Sequence, residues 1–220
     1  SSMVRLRRAA VQMRCALIIH HELQTNRRIQ KRDLFYRDVL LFQNQHTSDR
    51  AIHTLAQACK VPREAMNVVG ASRGIMYGGW LRLTMSCGGI SDILANGHKH
   101  VVPYCQDIVG LDGNLDFVLI VEKEAVFELV MCAWHRVYDG VGRRPFLVIT
   151  AKGYPDRATS LFLGMLRRQR PCTRFLILVD WDPFGMDIYC KYKAGLKDTF
   201  CAIVDLELLG LHHSDVTSTV

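Results

Sequence analysis

The sequence contains no C-x-x-C pair, no G-x-x-x-x-G-K-[ST] phosphate loop and no G-x-G-x-x-G after an apolar run. It also has no apolar stretch long enough to cross a bilayer. Each absence removes a class: a zinc ribbon, a P-loop nucleotidase, a dinucleotide-binding crossover and a membrane-spanning helix. The first residues, Ser1-Ser2-Met3-Val4-Arg5, lack the apolar core of a secretory leader. With 49% hydrophobic and 22% charged residues, neither a disordered tail nor a collagen-like repeat fits. The 220 residues are enough for one large domain or two small ones, each with a core.

What is present is a skewed charge. Residues 1–114 carry 15 Lys and Arg against 8 Asp and Glu, a net +7, while residues 115–220 carry 13 of each. A basic half beside a neutral one points to a polyanionic partner, most often nucleic acid; a merely solvated basic surface is the plainer alternative. Eight cysteines, several inside apolar segments, are expected to be free thiols of a reducing compartment.

The two halves follow different patterns. From Val4 to Leu23, Leu6, Ala10, Met13 and Leu17, with Ala16, Ile18 and Leu23, form a broad helical face, expected to be core or a contact between copies. Asn26-Arg27-Arg28 interrupts it, and a second helix is predicted near Lys31 or Arg32. A third is predicted from Ser48 to Cys59, capped by Thr47 or Ser48, with Ile52, Leu55, Ala56 and Cys59 on its apolar side. Val61-Pro62-Arg63-Glu64 opens a short helix, so the order resembles a helix-turn-helix. Residues 67–70 and 75–78 around Ala71-Ser72-Arg73-Gly74 read as a hairpin that would supply a wing. Residues 78–113, glycine-rich, read as irregular and as holding the domain connection.

The second half alternates strand and helix. Phe117–Val121, Phe146–Ile149 and Phe175–Val179 are fully apolar runs separated by helical segments, the mark of a parallel sheet covered on both faces. In open sheets of this kind chemistry lies beyond the carboxyl ends of the strands. There the first run meets Glu122, and the third meets Asp180 and Asp182 on either side of Trp181. These hard oxygen donors suit magnesium; the structural alternative is that they cap the following helices. In Lys31-Arg32-Asp33-Leu34-Phe35-Tyr36, Arg32 lies one helical turn before Tyr36. A phenol, with a pKa of roughly 10, needs such a cation nearby to serve as a nucleophile. Arg32 could then bind the phosphate under attack and stabilise developing charge; the alternative is an aromatic core pair beside a surface charge. His98-Lys99-His100 and His212-His213 have spacings that fit no common metal site.

Five segments in order resemble the topoisomerase VI A-type family, most closely its eukaryotic meiotic double-strand-break branch. They are Lys31–Tyr36 with Leu41-Phe42-Gln43-Asn44-Gln45, Val61-Pro62-Arg63 through Gly74, Val121-Glu122-Lys123-Glu124-Ala125-Val126-Phe127, Thr150-Ala151-Lys152-Gly153-Tyr154-Pro155-Asp156, and Asp180-Trp181-Asp182-Pro183-Phe184-Gly185. The resemblance implies a mixed α/β fold. A winged-helix DNA-binding domain would span residues 1–105, and a Toprim domain with a parallel sheet residues 106–220. It implies that Tyr36, assisted by Arg32, attacks a DNA phosphodiester to give a 5′-phosphotyrosyl link and a free 3′-hydroxyl. Arg32, Arg63 and Arg73 would contact DNA, and Glu122, Asp180 and Asp182 would hold magnesium (Mg2+).

The implied partners are double-stranded DNA, a second A-type copy in a homodimer whose metal site works with this tyrosine, a topoisomerase VI B-like subunit, and meiotic accessory proteins. The resemblance also implies that no membrane is involved and that the compartment is the nucleus. A Toprim nuclease using water, or a non-catalytic DNA-binding scaffold, are the competing readings. The chain departs from the family in Phe35, where many members have a second tyrosine, in Arg73 for a common lysine, and in Ala151 for a frequent glycine. Family sequence is lacking at both ends, which gives the expectation of a trimmed core.

Overall fold

The computed structural model describes residues 2–78, 81–93, 98–138, 145–195, 201–212 and 214–215. The chain divides into two compact units, Ser1–Ala71 and Ser72–Val220, well before the expected boundary near residue 105.

The first unit comprises helix α1 (Ser2–Gln24), strand β1 (Ile29–Gln30), helices α2 (Lys31–Tyr36), α3 (Val39–Phe42) and α4 (Gln45–Cys59), and strand β2 (Val68–Val69). The helix after the turn is only a 3-10 segment, Arg63–Met66, entered from Pro62. Helix α4 begins earlier than predicted: the Asn44 side chain accepts from Thr47 N at 2.9 Å, so the cap precedes Thr47 and Ser48. Ser48 is instead buried inside the helix, donating to the Gln45 carbonyl at 2.9 Å.

Only part of the broad apolar face of α1 is core. Val11, Cys15, Ile18 and Ile19, spaced by four, three and one, are buried with Leu34, Phe42, Ala51, Ile52 and Met66. Leu6, Met13 and Leu17, on the stripe expected from the sequence, are exposed. Apolar residues on α1 cover more than one face, and packing on α4 selects the branched side.

The second unit is built around a six-stranded sheet. Its elements in order are β3 (Ile75–Gly78), β4 (Leu81–Met85), β5 (Ile90–Ile93), β6 (His100–Val101), β7 (Ile108–Asp112), β8 (Phe117–Val121), α5 (Glu124–Tyr138), β9 (Phe146–Thr150), α6 (Arg157–Gln169), β10 (Arg174–Leu178), α7 (Pro183–Ala194) and β11 (Glu207–Gly210). Strand order is β11-β10-β8-β9-β3-β6, with β8, β9, β10 and β11 parallel, β3 antiparallel to β9, and β6 antiparallel to β3 at one edge. The fold is thus mixed α/β with a mostly parallel central sheet.

Alternation along β8 explains why its sequence is apolar throughout. Val118 and Ile120 pack with Phe162, Leu163 and Leu166 of α6 and Ile188 of α7. Leu119 and Val121 face the other way, onto Phe127 and Met131 of α5. Both faces are buried, so both registers of a period-2 pattern must be apolar.

Two expectations for residues 67–113 are corrected. The segment predicted as a wing is no hairpin: Val68–Val69 pairs in parallel with β1, whereas Ile75–Gly78 pairs antiparallel with β9. Backbone and side-chain bonds hold the turn between them to the second unit. Ser72 Oγ donates to Val102 O at 2.8 Å, and Val102 N to Gly74 O at 2.9 Å. A Cβ on Gly74 would come within 2.1 Å of Thr159 Oγ1, so the closeness of α6 requires glycine there. The stretch read as irregular contains a three-stranded antiparallel sheet, β5-β4-β7. Its Leu81 and Leu83 enter the same core as Phe162. Period-2 alternation in Leu81-Arg82-Leu83 is the signal that announces it, masked by the surrounding glycines.

Candidate active site

Strand β8 is the first of the parallel set, and the chain then places β9 on one side of it and β10 on the other. Such a reversal opens a crevice beyond the strand ends, between β8 and β10. Glu122 leaves β8 at that point and is held from three directions. Its N–H donates to Leu178 O at 3.0 Å; its carbonyl accepts from Gly153 N at 2.8 Å and from Thr150 Oγ1 at 3.2 Å. Thr150 Oγ1 in turn accepts from Lys152 N at 3.0 Å, so the turn after β9 wraps beneath Glu122. The Glu122 carboxylate reaches across the crossover, Oε2 accepting from Asp180 N at 3.0 Å.

Asp180 and Asp182 follow β10, which ends at Leu178, slightly earlier than expected. Asp182 is the N-cap of α7: Oδ1 accepts from Gly185 N at 2.7 Å, with Pro183 in the first turn. The helix-capping alternative for these residues therefore describes one oxygen of Asp182. Gly185 is required by proximity, since a Cβ there would stand 2.2 Å from Asp180 O. Lys123 Nζ pairs with Asp180 Oδ2. Hydrogen bonding to Asp180 and then its charge, followed by the charges of Glu122 and Asp182, hold this ammonium above the ordinary lysine range.

Among the described residues, no three His, Cys, Asp or Glu side chains are gathered closely enough to enclose a metal ion as they stand. The donor chemistry, three carboxylates at adjoining strand ends, nevertheless suits a hard divalent cation, and one of them, Asp180, already holds a positive group, the Lys123 ammonium. His213 lies outside the described residues.

Tyr36 is the last residue of α2 and is 65% exposed. Its ring lies 5.2 Å from that of Phe35, which packs against the first unit's core. Ion pairs pin the segment on either side of it. Lys31 Nζ meets Asp49 Oδ2 at 2.5 Å; Arg37 meets Glu22 Oε1 at 3.2 Å; Asp38 Oδ2 accepts from Arg14 Nε at 3.1 Å. Glu22 is 3% exposed, a buried carboxylate that sequence reading passes over because it sits among apolar residues of α1. Arg32, one turn before Tyr36, is exposed.

Two other tyrosines are poorer nucleophile candidates. The Tyr154 hydroxyl donates to Asp187 Oδ2 at 2.8 Å, which raises its pKa, and Tyr192 is raised by burial. Of the remaining basic candidates, Arg63 in the first unit donates Nε to Glu64 Oε1 at 3.0 Å. Arg73 is exposed and belongs to the second unit, its N–H 3.4 Å from Asp156 Oδ2.

A helical unit presenting a tyrosine, joined in one chain to a crossover sheet with strand-end carboxylates, defines a Toprim-bearing α/β protein. A family model described as type IIB DNA topoisomerase matches residues 7–68, and one described as the Toprim domain of topoisomerase 6 A subunits and Spo11 matches residues 117–219. The chain belongs to this topoisomerase VI A-type and Spo11 family. It is 32% identical over 224 residues to the A subunit of DNA topoisomerase 6 from Arabidopsis thaliana, covering 98% of this chain and 50% of that protein. It is 32% identical over 221 residues to meiotic recombination protein SPO11-1 of Oryza sativa subsp. indica, covering 94% and 54%. Identity to meiotic recombination protein SPO11 of Mus musculus is 32% over 219 residues, covering 96% and 53%. The chain thus spans about half the length of the curated relatives it matches.

Proposed function

We propose that this chain is the core of a magnesium-dependent DNA-cleaving transesterase that makes double-strand breaks for meiotic recombination. The supporting observation is that Glu122 and Asp180 join across the strand crossover in a chain that also presents an exposed Tyr36 with Arg32 one turn away. Tyr36 Oη bonds to phosphorus as the bond from phosphorus to the 3′-oxygen breaks, and the phenolic proton ends on that oxygen. The products are a 5′-phosphotyrosyl link and a 3′-hydroxyl. Arg32 orients the phosphate and balances charge on its equatorial oxygens.

Glu122, Asp180 and Asp182 would hold magnesium. When bound, the ion supplies Lewis-acid stabilisation of phosphate oxygens. The ion pairs around Lys31, Arg37 and Asp38 limit the freedom of Tyr36, which lowers the cost of reaching attack geometry.

On this reading Arg32 and Arg63 of the first unit and Arg73 of the second contact DNA, and Glu122, Asp180 and Asp182 of the second unit serve metal binding. The substrate is double-stranded DNA in the nucleus. A second A-type copy contributes the metal site opposite each tyrosine, and a B-type partner with meiotic accessory proteins completes the machine. Cuts in both strands follow from the symmetry of the pair.

The test is capture of covalent protein–DNA adducts by the full-length protein with its B-type partner and magnesium. The wild type should give an adduct, and Tyr36→Phe should give none. Cleavage without any adduct would favour a Toprim nuclease using water. DNA binding with neither adduct nor cleavage would favour a scaffold.

A further inference from the structure

The cation already seated at the strand-end carboxylates belongs to the chain itself. Lys123 directly follows Glu122 and precedes α5, so its backbone is fixed between strand and helix while its side chain stays 53% exposed. Its Nζ pairs with Asp180 Oδ2, the residue whose N–H binds Glu122 Oε2. The neighbouring lysine, Lys152, is engaged elsewhere, its Nζ 2.9 Å from Glu124 Oε1. Lys123 is therefore the ammonium that faces the Glu122, Asp180 and Asp182 set.

We propose that Lys123 is a displaceable counter-ion: it partly neutralises these carboxylates in the metal-free chain, and a divalent cation binds only as its side chain swings out. The inference rests on the reading of the three carboxylates as magnesium ligands. Carboxylates at adjoining strand ends repel one another, and a single positive charge offsets that repulsion only in part. A doubly charged ion offsets more of it. The lysine can yield because its stem is flexible and its ion pair is exposed and weak. Metal affinity then reports a difference between two cations competing for one set of oxygens. Removing the internal competitor should tighten metal binding, opposite to the effect of removing a ligand.

Mn2+ shares magnesium's preference for octahedral oxygen ligands, and its free form is counted by electron paramagnetic resonance. The experiment titrates Mn2+ into the 220-residue chain and into its Lys123→Gln, Lys123→Arg and Asp180→Asn variants, with Mg2+ as competitor. Lys123→Gln should bind roughly two- to fivefold more tightly than wild type, the range set by the usual strength of an exposed ion pair. Lys123→Arg should stay near wild type. In chelator, Lys123→Gln should melt below wild type and gain more on adding Mg2+. If Lys123→Gln binds equally or more weakly while Asp180→Asn loses binding, the metal site stands and the counter-ion role falls. If Asp180→Asn titrates like wild type, the metal reading falls and takes this inference with it.

Discussion

The two compact units differ in what their charges are used for. Ser1–Ala71 carries 12 Lys and Arg against 5 Asp and Glu, and four of those acids, Glu22, Asp38, Asp49 and Glu64, are committed to internal ion pairs. Its surplus stands on the surface at Arg5, Arg7, Arg8, Arg27, Arg32 and Arg50. Ser72–Val220 carries 16 of each sign. There the sheet buries both faces, and acids gather at the strand ends. The whole +7 of the chain therefore lies in the first unit, 12 basic against 5 acidic residues, and the second unit is balanced. A field of one sign draws in a polyanion, whereas a balanced surface leaves local carboxylates to act on a local cation.

The largest effect that can sharpen this contrast comes from the cores. Phe42 and Phe162 are both fully buried, one in each unit. Truncating either to alanine should cost about 3–5 kcal/mol, read from urea denaturation. The same loss is a greater share of the stability of a 71-residue unit than of its larger neighbour. Hydrogen exchange should then rise throughout residues 2–71 in Phe42→Ala, and only in part of residues 72–215 in Phe162→Ala. Equal, chain-wide exchange in both variants would erase the division into units.

A smaller effect tests the charge side. Each lysine or arginine that neutralises a DNA phosphate adds roughly one unit to the slope of log affinity against log salt. Arg32→Ala should lower that slope by about one in fluorescence-anisotropy titrations at varied salt. Arg174→Ala should leave it unchanged, because Arg174 is already held by Glu207 through Nε at 3.1 Å and its terminal nitrogen at 2.7 Å. Equal losses from both variants would mean that the surplus is a diffuse surface charge with no placed contact.

Legibility of the sequence follows the same division. The apolar runs Phe117–Val121, Phe146–Ile149 and Phe175–Val179 announce the parallel sheet, since strands packed on both faces cannot hide their composition. Glu122, Asp180 and Asp182 are found by following those runs to their ends. In the first unit the start of a helix near Lys31 is foreseen, but which side of α1 is buried is not. When apolar residues cover several faces, only the tertiary partner decides which is buried. The turn 71–74 misleads because its bonds go to Val102 and Asp156 and Thr159 packs close against Gly74, positions no local pattern reveals. Lys123 stands within a recognisable motif and yet its ion pair is missed, because a charge next to a carboxylate in sequence gains meaning only when Asp180 meets it in space.

The smallest expected effect compares one thiol in each unit. None of the eight cysteines forms a disulfide. Burial pushes both Cys15, in the first unit, and Cys105, in the second, up to about 12. Cys15 is fully buried, whereas Cys105 keeps partial exposure, its thiol raised further by Cys201 and lowered by Arg168. A thiol whose folded pKa lies above its unfolded value of 9.0 contributes stability that is intact below that pH and is lost as pH rises toward about 12. For Cys15 the loss should reach about 1.4 kcal/mol one pH unit above the unfolded value. Cys15→Ala should flatten that alkaline slope in urea midpoints of residues 2–71, followed by hydrogen exchange. Alkylation below pH 9 should label the exposed Cys59, Cys87, Cys132, Cys172 and Cys190 first, Cys105 slowly and Cys15 last. If Cys15 reacts as fast as Cys59, α1 opens readily, and the first unit is held by its charges more than by its core.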